Sequence, residues 1–120
     1  MNYTDLDVYK RSYRLAREIH ELSLTLPKYL QFDLGDQIRR ASRSIPSGIA
    51  EGFGRKKSSK DTANMLNGSL GSTEEVLFNI EFMHDVKLMD DAKYRYFSDE
   101  YTIVGKQLYR LIESLQKTRH

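Results

Sequence analysis

Leu34, Ile38, Ala41, Ile45, Ile49 and Phe53 recur in steps of three and four, the spacing that gathers side chains into one stripe along an α-helix. At about 100° per residue, Arg39, Arg40 and Arg43 fall on the other side. The segment DQIRRASRSIPSGIAEGFGR, residues 36–55, therefore has an apolar back and a basic front. Pro46 interrupts it. A proline inside a helix removes one backbone hydrogen bond, crowds the carbonyl four residues earlier, here that of Ser42, and costs about 3 kcal/mol. The periodicity runs on past it, so the spacing predicts one helix kinked at Pro46 and held by packing against a neighbour. The alternative is a true break at Ile45, because the residue before a proline is pushed away from helical angles.

Ser44, Gly48 and Gly52 form a row of small residues at four-residue spacing. Small side chains let another backbone come close. Gly52 and Gly54 also suit the end of a helix. We read Gly48 as a packing residue and Gly54 as the terminator.

Three more helices follow from the same periodicity. The first runs from about Asp5 to Leu26, with Thr4, Asp5 or Asp7 as its cap and Val8, Leu15, Ile19, Leu22 and Leu26 as its stripe. Pro27 ends it, residues Pro27 to Phe32 connect, and Asp33 caps the second helix. After the polar loop Arg55–Ser59, Ser58 or Ser59 caps a third helix from about Lys60 to Val86, with Asp61 near the positive end of its dipole. Its stripe is Ala63, Leu66, Leu70, Thr73, Leu77, Ile80 and His84. Gly68 and Gly71, each about 1 kcal/mol worse than alanine inside a helix, lie beside Ser69 and Ser72 and suggest a close crossing with the Ser44–Gly48–Gly52 row. Lys87–Asp90 turns the chain, Asp90 caps a fourth helix, and Phe97, Tyr101, Val104, Leu108, Leu111 and Leu115 make a heptad seam. The tail from Lys117 to His120 is expected to fray.

Four amphipathic helices with three short links predict an all-α, antiparallel up-down-up-down four-helix bundle. At 120 residues the chain forms one domain, residues 1–120, large enough to bury a core without staples. It has no cysteine, which excludes disulfides and thiolate metal sites and fits a reducing compartment. No signal pattern opens the sequence and no apolar run reaches membrane-spanning length, so a cytoplasmic protein without membrane contact is expected. Tyr3, Tyr9, Tyr13, Tyr29, Tyr94, Tyr96, Phe53, Phe78 and Phe82 exceed what one narrow core can hold. Some must cover an outer face, which points to a homo-oligomer.

No catalytic constellation survives the spacing tests, so no enzyme activity, cofactor or metal is expected. His20, His84 and His120 sit on separate segments without H-E-x-x-H spacing. His20 is expected to be a partly buried, hydrogen-bonded residue beside its stripe. Glu81 and His84 supply one Glu-x-x-His pattern where a di-iron bundle needs two. GFGRKKSS at 52–59 lacks phosphate-loop spacing and follows a helix rather than a strand.

With 19 basic against 17 acidic side chains, net charge +2, only local clustering could recruit nucleic acid. One cluster exists: Arg39, Arg40 and Arg43 on the helix front, then Arg55, Lys56, Lys57 and Lys60 beyond its end. These could track the backbone of RNA or DNA. Alternatively the arginines pair with carboxylates such as Asp36, Glu51, Glu74, Glu75 or Glu81, within or between subunits. We favour ion pairing for Arg39 and Arg40, and binding for Arg55 to Lys60. A protein-interaction scaffold without nucleic acid is the second reading.

The string QIRRASRSIPSGIAEGFGR, residues 37–55, resembles the four-helix-bundle family first noticed in intervening sequences of bacterial 23S ribosomal RNA genes. That family's pattern is roughly Q-x-R-R-A-x-x-S-[IV]-x-x-N-I-A-E-G-x-G-R, followed by A-x-G-S-x-x-E. Ser69, Gly71, Ser72 and Glu75 occupy the second segment here. Gly48 stands where the pattern has Asn, and Ser69 where it has Ala. The resemblance implies a left-handed bundle that closes into a pentameric ring. The chain is also similar to the accessory variability protein of diversity-generating retroelements, which shares that assembly and works with a reverse transcriptase and nucleic acid.

Overall fold

A computed structural model describes residues 2–54 and 58–117. Four helices dominate them: α1 (Asp7–Ser23), α2 (Leu34–Gly54), α3 (Ser59–Asp85) and α4 (Asp91–Lys117), with 3-10 turns at Tyr3–Asp5 and Lys28–Leu30. No strand occurs among the described residues. The helices run alternately up and down. Along α1 and α4, Asp7 meets Gln107, Arg11 meets Glu100 and Glu18 meets Tyr96, one index rising as the other falls. Along α2 and α3, Ser44 meets Ser72, Ile45 meets Ser69 and Gly52 meets Thr62 in the same antiparallel sense. The result is a rod 50 × 23 × 20 Å.

The core follows the expected stripes with informative exceptions. Val8, Leu15, Ile19, Leu22 and Leu26 are buried from the first segment, and Leu34, Ile38, Ala41, Ile45 and Ile49 from α2, while Phe53 is half-buried. The α4 seam is buried through Leu108, but Ile112 replaces Leu111, and Leu111 and Leu115 are only partly covered. A helix of 3.6 residues per turn drifts about 20° per heptad from a strict seven-residue repeat, so the buried line moves on by one residue. In α3 the buried residues include Val76, Met83, Thr62, Ser69 and Asn79, with Leu70 and Leu77 at the edge. This helix packs on both α2 and α4, so it buries two faces rather than one stripe.

Helix α2 continues through Pro46 as a single helix, so no break occurs at Ile45. Its neighbour α3 lies against the small-residue row. A Cβ built on Gly48 would come within 2.2 Å of Ser69 Oγ, and one on Gly52 within 3.3 Å of Met65 Cβ. Ser69 Oγ donates to the Ile45 carbonyl at 2.9 Å, and Thr62 Oγ1 donates to the Gly52 carbonyl at 2.9 Å, both buried. Ser44 and Ser72 meet hydroxyl to hydroxyl at 3.0 Å. Two helix backbones are thus joined by side chains of the minimum useful size. Gly68 and Gly71 take no part in this crossing, contrary to expectation: both are exposed, and nothing lies within 4 Å of a Cβ built on either. The close face of α3 is Thr62, Met65, Ser69 and Ser72, and the two glycines point outward.

The ends of the helices correct several expected caps. Helix α1 spans Asp7–Ser23 rather than Asp5–Leu26, and its N-cap is Leu6, which supplies no side-chain cap. Thr4 and Asp5 belong to the preceding 3-10 turn, which Asn2 caps through Thr4 N–H. Ser58 caps α3 by accepting from Asp61 N–H at 3.1 Å. Asp90 accepts from Lys93 N–H at 2.8 Å ahead of α4. Between α3 and α4, Leu88 N–H donates to the Met83 carbonyl at 2.7 Å and Lys87 N–H to the His84 carbonyl at 3.1 Å. These two bonds make a Schellman turn, with Lys87 at φ 65° in the place glycine usually holds.

Candidate nucleic-acid interface

The arginine face of α2 divides into three separate roles. Arg39 is half-buried. Its Nη1 donates to Ser23 Oγ at 2.9 Å and to Gln31 Oε1 at 3.2 Å, and its Nη2 donates to the Gln31 carbonyl at 2.6 Å. Gln31 Nε2 in turn donates to the carbonyls of Ser23 and Leu26 at 2.9 and 2.8 Å. The guanidinium fork matches several acceptors at once, and here it fastens the α1–α2 connection to α2. Carboxylate pairing was the expectation for this residue, and its partners are instead neutral oxygens. Gly35 belongs to the same arrangement, since a Cβ there would lie 3.1 Å from Arg39 Nη1 and 3.2 Å from the Leu30 carbonyl.

Arg40 is exposed and pairs with Asp36 at 3.1 Å, one helical turn back, a contact of the kind worth only a few tenths of a kcal/mol. Arg43 is exposed, and its Nε donates to the Arg39 carbonyl at 3.3 Å. Lys60 is exposed in the first turn of α3. Arg55, Lys56 and Lys57 lie outside the described residues. Of the cluster read from sequence, Arg43 and Lys60 are the described cations that face solvent without a carboxylate partner among the described residues.

Glu51, Glu74 and Glu75 are all exposed. Glu75 sits in a stripe on the outer side of α3 formed by Gly68, Gly71, Glu75, Phe78 and Phe82, which step 3-4-3-4. Phe78 is 67% exposed and Phe82 48%. Next to them, Tyr29 and Val86 are exposed as well, around a shallow apolar groove that reaches Leu30, Leu34 and Leu88. The surplus aromatics therefore cover an outer surface. Tyr13, Tyr96 and Tyr109 are also exposed, while Tyr3, Tyr9, Tyr94 and Phe53 are half-buried.

Several other titratable groups tie helices together or close turns. Arg11 donates to both oxygens of Glu100 at 3.0 and 3.1 Å, and Arg14 also pairs with Glu100. Tyr96 donates to Glu18 at 2.6 Å. The Gln107 amide donates to Asp7 at 2.6 Å, and together with Arg11 it holds that carboxyl below its usual range. His84 stacks on Tyr94 with ring centroids 4.3 Å apart and bonds Asp91 at 2.6 Å, which lowers the Asp91 carboxyl. His20 is exposed rather than partly buried. Among the described residues no group of three or more His, Cys, Asp or Glu side chains could hold a metal ion, and no helix is long and apolar enough to cross a membrane.

Comparison with known proteins adds two findings. A sequence model described as 23S rRNA-intervening sequence protein matches residues 4–110. The fold is similar to the crystal structure of a protein of unknown function from the S23 ribosomal protein family of Bacteroides thetaiotaomicron VPI-5482. The TM-score is 0.80 at 24% identity, covering 94% of this chain and 99% of that one. No curated protein matches.

Proposed function

Because the chain belongs to the 23S rRNA-intervening sequence protein family, we propose that it is a non-enzymatic, homo-oligomeric scaffold that binds RNA or DNA. The observation that carries the oligomeric part of this reading is the outer stripe of α3. Two glycines in mid-helix, each about 1 kcal/mol unfavourable relative to alanine, face solvent in line with two exposed phenylalanines. A single copy gains nothing from that arrangement. A second copy seated there would bury the rings and approach the bare backbone closely. The resemblance read from the 37–55 string implies a pentamer, and that is the ring size we propose. Repetition in a ring would present Arg43, Arg55, Lys56, Lys57 and Lys60 several times, and avidity would raise a weak phosphate contact.

Light-scattering mass before and after nuclease treatment tests both parts. A multimer whose mass survives nuclease, together with RNA affinity that falls steeply with salt, is the expected result. A monomer at micromolar concentration would overturn the scaffold. A multimer without RNA or DNA affinity at low salt would favour the second reading, a protein-interaction scaffold, which the apolar surface around Tyr29, Phe78 and Phe82 supports.

A further inference from the structure

A groove of about 450 Å³ runs between α1 and α2, on a different part of the surface from the α3 stripe. That volume falls within the roughly 300–1,000 Å³ of small-ligand sites. Its floor is Ala16 and Pro46, both buried, and Pro46 offers no amide donor. Tyr9 and Tyr13 form one wall and continue a ladder of rings from Tyr3, with centroid spacings of 5.1 and 6.0 Å. Tyr13 is half in solvent, at 51% exposure. Arg17 and Arg43 stand on the rim, one from each helix. Arg17 makes no ion pair or side-chain hydrogen bond among the described residues. Among the described residues Arg43 bonds through Nε alone, and neither terminal nitrogen has a partner there. Glu21 is the single carboxylate on the lining and makes no pair with either.

We propose that this groove takes unpaired bases of a single-stranded nucleic acid, with a base stacked against Tyr13 and the flanking phosphates on Arg17 and Arg43. The inference rests on the nucleic-acid reading above and gives it a place and a strand form. A flat apolar slot with an aromatic wall suits the face of a base, which every nucleotide offers. Two uncommitted guanidiniums over one carboxylate suit phosphate. In a duplex the bases are already stacked and paired, so a double strand could reach only the rim.

Fluorescence anisotropy with labelled 20-mer oligo(dT) and oligo(U), and with a duplex of equal length, tests the assignment across a salt series. Wild type should bind the single strands more tightly than the duplex. Tyr13→Ala should weaken single-strand binding by about tenfold with little change in salt slope, while Tyr13→Phe, which keeps the ring, should stay near wild type. The Arg17→Gln/Arg43→Gln pair should lower the log–log salt slope by roughly one to two. Single-strand binding unchanged by Tyr13→Ala and by the arginine pair, but lost in Lys60→Gln, would overturn the groove and leave nucleic-acid binding standing. Absence of binding to every probe at low salt would overturn both.

Discussion

Lys87 holds a left-handed backbone at φ 65°, a region that an L-residue with a Cβ enters at a cost of roughly 1–2 kcal/mol. The two hydrogen bonds of the turn require that shape, and glycine takes it freely. Lys87→Gly should therefore raise unfolding free energy by about 0.5–1 kcal/mol after the added flexibility of the unfolded chain is counted, read as a higher urea midpoint at unchanged slope. Tyr101 presents a second residue-scale case. Its side chain is fully buried and its hydroxyl has no partner among the described residues; burial is the main reason its ionisation is pushed far up. An unpaired buried hydroxyl carries a desolvation penalty of about 1–3 kcal/mol. Tyr101→Phe should thus leave stability unchanged or increase it by about 1 kcal/mol, whereas a loss of that size in thermal unfolding would show that the hydroxyl is satisfied. Neither site is visible from residue type alone. Lys87 is simply a turn residue in sequence, and Tyr101 reads as an ordinary seam position.

Among the elements, the α2–α3 crossing joins two positions that look unrelated in sequence. Gly48 lies on α2 and Ser69 on α3. Ser69 Oγ occupies the space that a Cβ at position 48 would need, 2.2 Å away, and uses it to reach the Ile45 carbonyl. The missing side chain at position 48 and the hydroxyl at position 69 thus make one exchange of volume across the interface. Gly48→Ala alone should destabilise by about 1–3 kcal/mol through overpacking. Gly48→Ala combined with Ser69→Ala should recover at least half of that loss, a coupling that a double-mutant cycle measures directly. Additive losses would disprove the exchange. Helices α1 and α2 were legible because large apolar residues at helical spacing mark the buried side of each. Helix α3 was only half legible: it buries two faces, so Thr62, Ser69 and Asn79 look solvent-facing in a single-stripe reading. Gly68 and Gly71 announced a close approach, but residue type does not say on which side of a helix it lies.

In the molecule as a whole, the contact between α1 and α4 is the least extensive of the helix pairs that close the bundle, and polar bonds line it. Asp7 is held below the usual carboxyl range chiefly by the Gln107 amide, then by Arg11. A carboxyl depressed in the folded state contributes stability above its unfolded value of about 4 and loses it as pH falls through the lower folded value. The melting temperature should accordingly drop as pH falls below about 4, and Asp7→Asn should make that drop shallower; an identical pH profile for the variant would count against the role given to this bond. The candidate surface was less legible than the bundle. The cluster at 39–60 was visible as charge, but Arg39 binds a serine hydroxyl, an amide oxygen and a carbonyl, acceptors that a search for opposite charges does not weigh. Arg17 was overlooked because its partners in the groove, Tyr13 and Arg43, are brought beside it by helix pairing and not by spacing in one segment.

Where Gly68 and Gly71 strip the outer side of α3, water can compete directly for the helix's own amide bonds. Amide exchange in a solitary copy is therefore expected to be faster at this turn, near the middle of one of its two longest helices, than in the turns on either side. Whatever molecule comes to rest there would stiffen that turn, so local rigidity at mid-helix becomes a gauge of occupancy.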